Sequence, residues 1–406
     1  MFHYAWVIAF TGTLVLILSH GFGRMSYSLI LNSMKEGLSL SYTQVGLIGT
    51  GNFIGYLCLA VIGGFLASRF GTRKVLFISL LVMGISLFLT GISNSFIFAF
   101  IMRLITGMGN GGSYVPMMAL PTAWFVANKR GLATGIVTLG TGTGLSIAGL
   151  IIPRMISMYG ADGWRYAWYL LGIIVFVLAT VCYALLRDTP AEKGLTMYGG
   201  NEQQPVAIEK NSLFSTWKIL LREKEIWKLG TVYFMNGFSY IIYLTFIIAF
   251  LTKEIGFSEY SAGRLFAILG FCAIFCGVIW GGLSDIIGRR YASMCAYCVL
   301  AISYILPTIS ESIPILYISA ILFGLTFSAL PVIMAAAAGD AVGAKLAPAA
   351  LGFITLFFGV GQALGPFVAG WLKDVSGTFK YPFALSTCVA IIGAITSLIL
   401  RKKVRR

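Results

Sequence analysis

The chain has 406 residues, of which 58% are hydrophobic and 11% are charged, and its mean hydropathy is +0.89. Because soluble globular domains carry about 25% charged residues, this composition excludes an ordinary soluble protein. The net charge of +15 would favour nucleic-acid binding on a soluble domain. A membrane protein instead places its basic residues in cytoplasmic loops, so we expect no nucleic-acid partner.

Apolar stretches long enough to cross a bilayer as helices, which takes about 20 residues, recur along the chain. The twelve stretches lie at 5–33, 43–67, 74–93, 96–124, 131–157, 164–186, 226–252, 260–284, 290–309, 313–338, 347–373 and 380–400. The first stretch is too long for a signal peptide and lacks its basic start and cleavage site. We therefore predict an all-α polytopic membrane protein with 12 transmembrane helices.

Two ionisable residues, His20 and Arg24, interrupt the first stretch within LSHGFGRMSYSLIL (18–31). An arginine at the bilayer centre costs about 2.5–3.5 kcal/mol on insertion scales, and such residues mark functional sites. His20 lies one helical turn before Arg24, on the same face. We predict that Arg24 binds an anion and that His20, whose charge can change near neutral pH, carries a proton. A neutral His20 that is hydrogen-bonded within the core is the alternative.

A second arginine, Arg103, lies in the fourth stretch within RLITGMGNGG (103–112), and Asn110 and Tyr114 follow it on nearly the same face. At 1.5 Å per residue, Arg24 and Arg103 both lie about 10–15 Å below the outer surface. All 14 acidic residues lie in loops or near helix ends, so neither arginine has an evident carboxylate partner. We predict a bound carboxylate or small oxyanion, because guanidinium offers paired donors. The alternative for Arg103 is a structural hydrogen bond to backbone carbonyls.

The distribution of basic residues predicts the orientation in the membrane. With the N-terminus inside, the inner loops, the central linker and the C-terminal tail RKKVRR (401–406) hold most of the 29 Lys and Arg residues. This excess follows the positive-inside rule and predicts that both termini are cytoplasmic. The basic tail is expected to lie against anionic lipid headgroups.

An internal repeat divides the chain. Aligning Gly64, after the second helix, with Gly281, after the eighth, gives an offset of 217 residues (281 − 64). We predict two six-helix halves, 1–186 and 226–406, joined by a cytoplasmic linker at 187–225. The linker sequence favours a short surface helix near its end, at about 212–221. Parallel repeats of this kind are typical of transporters with a substrate site between the halves.

Three motifs carry a family resemblance. In GGLSDIIGRR (281–290), four residues fit the loop signature G-x-x-x-D-x-x-G-x-[RK]-[RK]: Gly281, Asp285, Gly288 and Arg290. The first copy, GGFLASRFGTRK (63–74), keeps Gly64, Gly71, Arg73 and Lys74 but has Ser68 in place of the acid. With RLITGMGNGG, these motifs make the whole chain similar to major facilitator superfamily transporters. GVGQALGPFVAGWLKDVSGTFKYPF (359–383) resembles the eleventh helix and the following loop of the monocarboxylate and oxalate/formate branch. The resemblance implies that the signature loops bracket the inward gate, with the residues Gly64, Gly71, Arg73, Gly281, Asp285, Gly288 and Arg290.

The resemblance also implies that helices 1, 4, 7 and 10 line one cavity, which would bring Arg24 and Arg103 to the same chamber. Helix 7 contributes a stripe of polar and aromatic residues that includes Asn236 and Tyr240. The predicted substrate-binding residues are Arg24, Arg103, His20, Asn110, Tyr114, Asn236 and Tyr240. Packing is the alternative role for each aromatic residue of the stripe.

Catalytic and metal-binding patterns are not found in the sequence: it has no P-loop, no metal-ligand cluster and no nucleophile paired with a base. We therefore expect neither an enzyme nor a cofactor. The first hypothesis is a secondary transporter of a small organic anion such as a monocarboxylate, proton-coupled (symport) or exchanging, in a bacterial or archaeal cytoplasmic membrane. It is expected to function as a monomer. The alternatives are an exporter of drugs or metabolites and a non-transporting membrane sensor with the same fold.

Overall fold

The computed structural model describes residues 3–200, 220–343 and 346–400. Within these ranges the chain is almost entirely helical, and its one isolated β-bridge pairs Phe125 with Tyr198. The basic tail and most of the predicted surface helix near 212–221 lie outside the described residues.

Except between α8 and α9, where the linker lies, the helices of the described ranges follow one another with short connections. They are α1 (Ala5–Leu16), a π-helical segment (Ile17–Met25), α2 (Tyr27–Gly37), α3 (Tyr42–Phe70), α4 (Thr72–Ile92), α5 (Phe96–Ala119), α6 (Pro121–Trp124), α7 (Ala127–Tyr159), α8 (Gly163–Leu185), α9 (Lys224–Lys253), α10 (Glu259–Ile287), α11 (Arg289–Ile309), α12 (Ile313–Thr326), α13 (Ala329–Val342), α14 (Ala347–Ser376) and α15 (Lys380–Ser397). Each of the twelve predicted apolar stretches coincides largely with one of these helices or with consecutive ones, and the first spans α1, the π-helical segment and α2.

Nine helical stretches of the described chain are long and apolar enough to cross a membrane, or ten if the bent helix α3 counts as one span. One of the nine, Lys129–Leu185, contains α8 and most of α7, which meet at a 3₁₀ turn over Gly160–Asp162. Helix α5, which carries Arg103 and several glycines, is long but lies outside this set. The predicted all-α polytopic membrane fold is confirmed.

The helix boundaries repeat with the same offset of 217 residues that relates Gly64 to Gly281. Adding 217 to the bounds of α3 gives the bounds of α10, and adding it to the bounds of α4 gives those of α11. Between each pair of helices stands a glycine with positive φ, Gly71 at 89° and Gly288 at 86°. This conformation favours glycine, which explains why both signature loops contain it at the turn.

On one side of the molecule, helices from the first part of the chain, α3 and α7, closely approach helices from the second part, α14 and α10. A Cβ atom added to Gly46 of α3 would lie 2.2 Å from the carbonyl oxygen of Pro366 in α14. One added to Gly149 of α7 would lie 2.7 Å from the backbone nitrogen of Ala267 in α10. We call this side, where α3 begins, the closed end.

The opposite side of the molecule, which we call the open end, lacks such close approaches by described atoms at the glycines of α7 and α14. Near the start of α7, a Cβ atom on Gly135 would meet no described heavy atom within 4 Å. The same holds for Gly352, near the start of α14. Close approaches within these two helix pairs are therefore found at the closed end, and among the described residues none is found at Gly135 or Gly352 near the open end, where the signature loops lie.

Candidate functional site

The site centres on an irregular stretch of the first transmembrane segment. Residues Ile17–Met25 form a π-helix, and the backbone N–H of Ser26 donates to the carbonyl oxygen of Gly21, five residues back, at 3.0 Å. Gly21 packs directly on α7, because a Cβ atom there would lie 2.5 Å from the Cα of Gly144. π-Helical turns are rare and occur frequently at functional sites. This stretch contains both His20 and Arg24.

Arg24 is 5% exposed, and its guanidinium bonds to side chains from both ends of the sequence. Nη2 donates to Oε1 of Gln362 at 2.6 Å, and Nη1 lies 3.3 Å from Nε2 of His20. The guanidinium carbon lies 4.5 Å and 4.7 Å from the ring centres of Phe53 and Tyr56. Its Nε atom is buried without a hydrogen-bond partner among the described residues. Arg24 therefore retains a free donor although it is almost fully buried.

The contact with Arg24 determines which ring nitrogen of His20 carries the proton in this arrangement. A guanidinium can only donate hydrogen bonds, so Nε2 of His20 must accept, and a neutral ring then carries its proton on Nδ1. Nδ1 is buried and has no partner in the described part of the chain. The ring also packs on Tyr114, with ring centres 4.2 Å apart.

Tyrosines from several helices surround this pair. Tyr56 of α3 and Tyr114 of α5 approach His20, and the hydroxyl of Tyr240 in α9 accepts a hydrogen bond from Nε2 of Gln362. Tyr240 also stacks on Phe358 of α14, with ring centres 5.6 Å apart. The site thus combines one cation with hydroxyl groups and apolar ring faces.

Arg103 lies close to Arg24 but makes different contacts. Its Nη1 donates to the carbonyl oxygen of Gly23 at 2.9 Å, and its guanidinium carbon lies 5.1 Å and 4.9 Å from the ring centres of Tyr27 and Trp168. Both arginines line one cavity of about 20 Å³, which has room for about one water molecule. The structure therefore places the two cations at one cavity while Arg103 also holds the π-helical backbone.

The two predicted asparagines, Asn110 and Asn236, make no side-chain contact with Arg24 that the structure shows. Asn110 donates from Nδ2 to the carbonyl oxygen of Ser19 at 2.5 Å, so α5 contacts the π-helical stretch at Ser19 and, through Arg103, at Gly23. Asn236 is buried in α9, and its side-chain atoms have no hydrogen-bond partner among the described residues. His20 thus contacts Arg24 directly, and Tyr114 and Tyr240 reach it through His20 and Gln362. Asn110 instead contacts backbone.

In the described part of the chain, the acidic side chains that form ion pairs lie away from this site. The ion pairs of the described residues are found at helix ends, for example Lys253 with Glu36 and Lys373 with Glu254 at the closed end. None of them involves Arg24 or Arg103. In the same ranges no group of three or more His, Cys, Asp or Glu residues could hold a metal ion. The surroundings of Arg24 are therefore positively charged.

The predicted gate residues lie at the open end. Asp285 forms an ion pair with Arg289 at 2.6 Å, and Arg289 also reaches Asp340 at 3.1 Å. Arg290, the predicted basic residue, lies over the ring of Tyr291 at 5.6 Å. The glycines Gly64 and Gly281 face α5 and α13, where added Cβ atoms would lie 4.0 Å from Val115 and 3.5 Å from Val332.

In the first copy of the signature, an acid from elsewhere in the chain is found at the turn. Asp188, just after α8, accepts a hydrogen bond from the backbone N–H of Arg73 at 2.7 Å, at the start of α4. The Arg73 guanidinium in turn donates from Nε to the carbonyl oxygen of Tyr183. The sequence pattern, which has Ser68 in the acidic position, did not indicate this arrangement.

Three residues around Arg24 were missed by the sequence analysis: Phe53, Tyr56 and Gln362. Gln362 is 0% exposed and stands in the otherwise apolar stretch GVGQALGP (359–366). A buried amide in such a stretch was the available signal. The two aromatic residues gave none, because aromatic residues are common in membrane helices.

Comparisons with known proteins agree with this fold. Residues 16–398 match the family model described as "Uncharacterised MFS-type transporter YbfB". The chain is 26% identical to the probable sulfoacetate transporter SauU of Cupriavidus necator, over 93% of this chain and 89% of that protein. It is 25% identical to the probable galactarate/D-glucarate transporter GarP of Escherichia coli K12, over 94% of this chain and 91% of that protein.

The fold is also found among solved structures. A bacterial homologue of the human lysosomal transporter Spinster, in an inward-facing and unoccupied conformation, matches with a TM-score of 0.76 at 17% identity. That match covers 98% of this chain and 95% of the other. The chain therefore belongs to the major facilitator superfamily of membrane transporters, and it is a transporter and not an enzyme.

Proposed function

We propose that this protein is a secondary carrier of a small organic anion and that Arg24 binds the anionic group. One observation carries the proposal: Arg24 is buried between helices from both ends of the chain, keeps an unpaired donor, and has no acidic partner among the described residues. A charge that is buried without a counter-charge is costly. An anion that enters the site would remove this cost by pairing with the Arg24 guanidinium. The relatives are named for sulfoacetate and for glucarate, which are also organic anions.

The finer identity of the substrate follows from the composition of the site. Arg24 offers a carboxylate paired donors of matching geometry. Arg103 is held by backbone and by two aromatic rings, which leaves Arg24 as the main anchor. Tyr56, Tyr114 and Tyr240 supply ring faces and hydroxyl groups for the rest of the molecule. We therefore infer a substrate with one principal anionic group, such as a monocarboxylate.

The closed and open ends support an alternating-access mechanism. The open end carries the basic signature loops, and the positive-inside rule assigns that end to the cytoplasm. With this assignment, both termini are cytoplasmic and the conformation faces inward. We propose that 1–186 and 226–406 move as two halves, and that the signature loops, including Asp285 and Arg73, brace the gate at the open end.

Proton coupling is the second part of the proposal. In this arrangement Nε2 of His20 accepts from Arg24, so protonation of His20 requires the guanidinium to move away. An anion bound at Arg24 would draw the guanidinium towards itself and would stabilise a charged imidazole. Anion and proton would then load together, in a monomeric carrier of the bacterial cytoplasmic membrane.

The test is a thermal-shift screen of the purified protein in detergent. It compares monocarboxylates and sulfoacetate with organic cations and neutral sugars, for the wild type, for Arg24→Gln and for Arg264→Gln. The last variant removes the same charge at an exposed site in α10. We expect anions to raise the melting temperature of the wild type and of Arg264→Gln but not of Arg24→Gln.

The other outcomes separate the alternatives. Stabilisation by cations or neutral compounds alone, equal in all three proteins, would contradict the proposal and favour an exporter. Anion binding that depends on Arg24 but gives no flux in proteoliposomes would indicate a sensor with this fold.

A further inference from the structure

Gln362 occupies a position that the proposed function leaves unexplained. The residue is 0% exposed and lies in α14, 338 residues from Arg24 in the sequence. Its neighbours fix the backbone there: a Cβ atom on Gly361 would lie 2.5 Å from the carbonyl oxygen of Phe234, and one on Gly365 would lie 2.8 Å from that of Phe238. Because α14 packs so closely on α9, the Gln362 side chain is held against Arg24 and Tyr240.

The hydrogen bonds of Gln362 determine the orientation of its amide. Arg24 can only donate, so the atom that faces it at 2.6 Å must be the carbonyl oxygen Oε1. The amide nitrogen then donates to the hydroxyl of Tyr240. The carbonyl oxygen therefore lies where an oxygen of a bound carboxylate would accept from the same Nη2 atom.

We propose that Gln362 acts as an internal competitor of the substrate: it satisfies Arg24 in the empty carrier and is displaced when an anion binds. This inference rests on the proposed function and adds a residue that sets affinity and specificity. The contact also joins the first transmembrane segment to α14, so its release on binding breaks a link between the two ends of the chain. Only an acceptor stronger than an amide oxygen, such as a carboxylate or sulfonate, gains by the exchange.

Two substitutions of Gln362 have opposite expected effects on affinity. In Gln362→Glu the competitor is itself a carboxylate, so it should pair with Arg24 and weaken anion binding about tenfold or more. In Gln362→Met a side chain of similar length offers no strong acceptor, so Arg24 is free and anions should bind several-fold more tightly. A general packing defect could weaken binding in both variants but could not tighten it in one.

The experiment measures the binding of sulfoacetate and of lactate by isothermal titration to the wild type, Gln362→Glu, Gln362→Met and Arg24→Gln. Weaker binding in Gln362→Glu together with tighter binding in Gln362→Met supports the proposal. If Gln362→Glu does not fold, tighter binding in Gln362→Met is the supporting result, and unchanged or weaker binding there overturns the proposal.

Arg24→Gln separates this inference from the proposed function. Loss of binding in Arg24→Gln with wild-type affinity in both Gln362 variants overturns the role of Gln362 and leaves the anion carrier standing. Wild-type affinity in Arg24→Gln overturns both.

Discussion

The guanidinium of Arg103 lies 2.9 Å from the carbonyl oxygen of Gly23, the residue immediately before Arg24. Arg103 thus holds the backbone that presents Arg24, and the rings of Tyr27 and Trp168 lie beside its guanidinium. On the same helix, Asn110 makes the corresponding contact with the carbonyl oxygen of Ser19. Helix α5 therefore supports the π-helical stretch at two points, on either side of His20.

Replacing Arg103 should reveal this supporting role. We expect Arg103→Gln to lower the stability of the ligand-free protein, because a hydrogen bond from a charged group to a buried carbonyl contributes about 1.5–3 kcal/mol. The melting temperature without added anion measures this loss of stability, and Arg264→Gln, which removes an exposed arginine, is the control. If Arg103→Gln instead kept the wild-type melting temperature and lost only the response to anions, Arg103 would bind the substrate directly.

The close contact between the first segment and α7 predicts a strong effect at Gly21. A Cβ atom there would lie 2.5 Å from the Cα of Gly144, so Gly21→Ala should destabilise the protein by about 1–3 kcal/mol through overpacking. Gly131→Ala in α7 is the matched control, since an added Cβ meets no described heavy atom within 4 Å and alanine favours the helix. Thermal unfolding of both variants measures the difference, and equal melting temperatures would contradict the prediction.

The sequence predicted the membrane fold and the ionisable residues better than it predicted how they are arranged. Long apolar stretches determine transmembrane helices almost directly, because unsatisfied backbone groups are too costly in lipid. The ionisable residues His20 and Arg24 were evident because such side chains are rare in membrane-spanning helices. Both arginines line one cavity, in agreement with the depths estimated from the helix ends.

The partners of these residues could not be predicted in the same way. Gln362 and Tyr56 meet Arg24 only because α14 and α3 pack against the first segment, and helix periodicity does not determine such contacts. The π-helical stretch, where Gly21 packs on Gly144, was missed because a π-helical turn leaves no periodic pattern in the sequence. Asp188, which lies beyond α8, was likewise not linked to the turn at Gly71.

Asp374 at the closed end should influence the conformational equilibrium. From the end of α14 it accepts hydrogen bonds from the backbone N–H groups of Tyr42 and Thr43, at 3.0 Å and 2.7 Å, at the start of α3. A carboxylate at a helix N-terminus is stabilising, so we expect Asp374→Asn to favour opening of this end. The measurement is the labelling rate of a cysteine introduced at Ser28, in a background without the native cysteines.

For that measurement, Asp162→Asn is the control, because Asp162 is an exposed residue at the same end and pairs only with Arg165 among its described contacts. Labelling should be faster in Asp374→Asn than in Asp162→Asn. Equal rates would mean that the contact of Asp374 with α3 does not hold the closed end.

His20 provides the test of proton coupling. It is the one histidine within the membrane-spanning helices of the described chain, and the other, His3, precedes them. Because histidine changes charge between about pH 5 and 8, we expect His20→Gln to abolish the pH dependence of net transport while sparing anion exchange, which moves no net proton. Flux and exchange in proteoliposomes at several pH values measure both, with His3→Gln as the matched control. A His20→Gln carrier whose net transport kept the wild-type pH dependence would exclude His20 as the proton carrier.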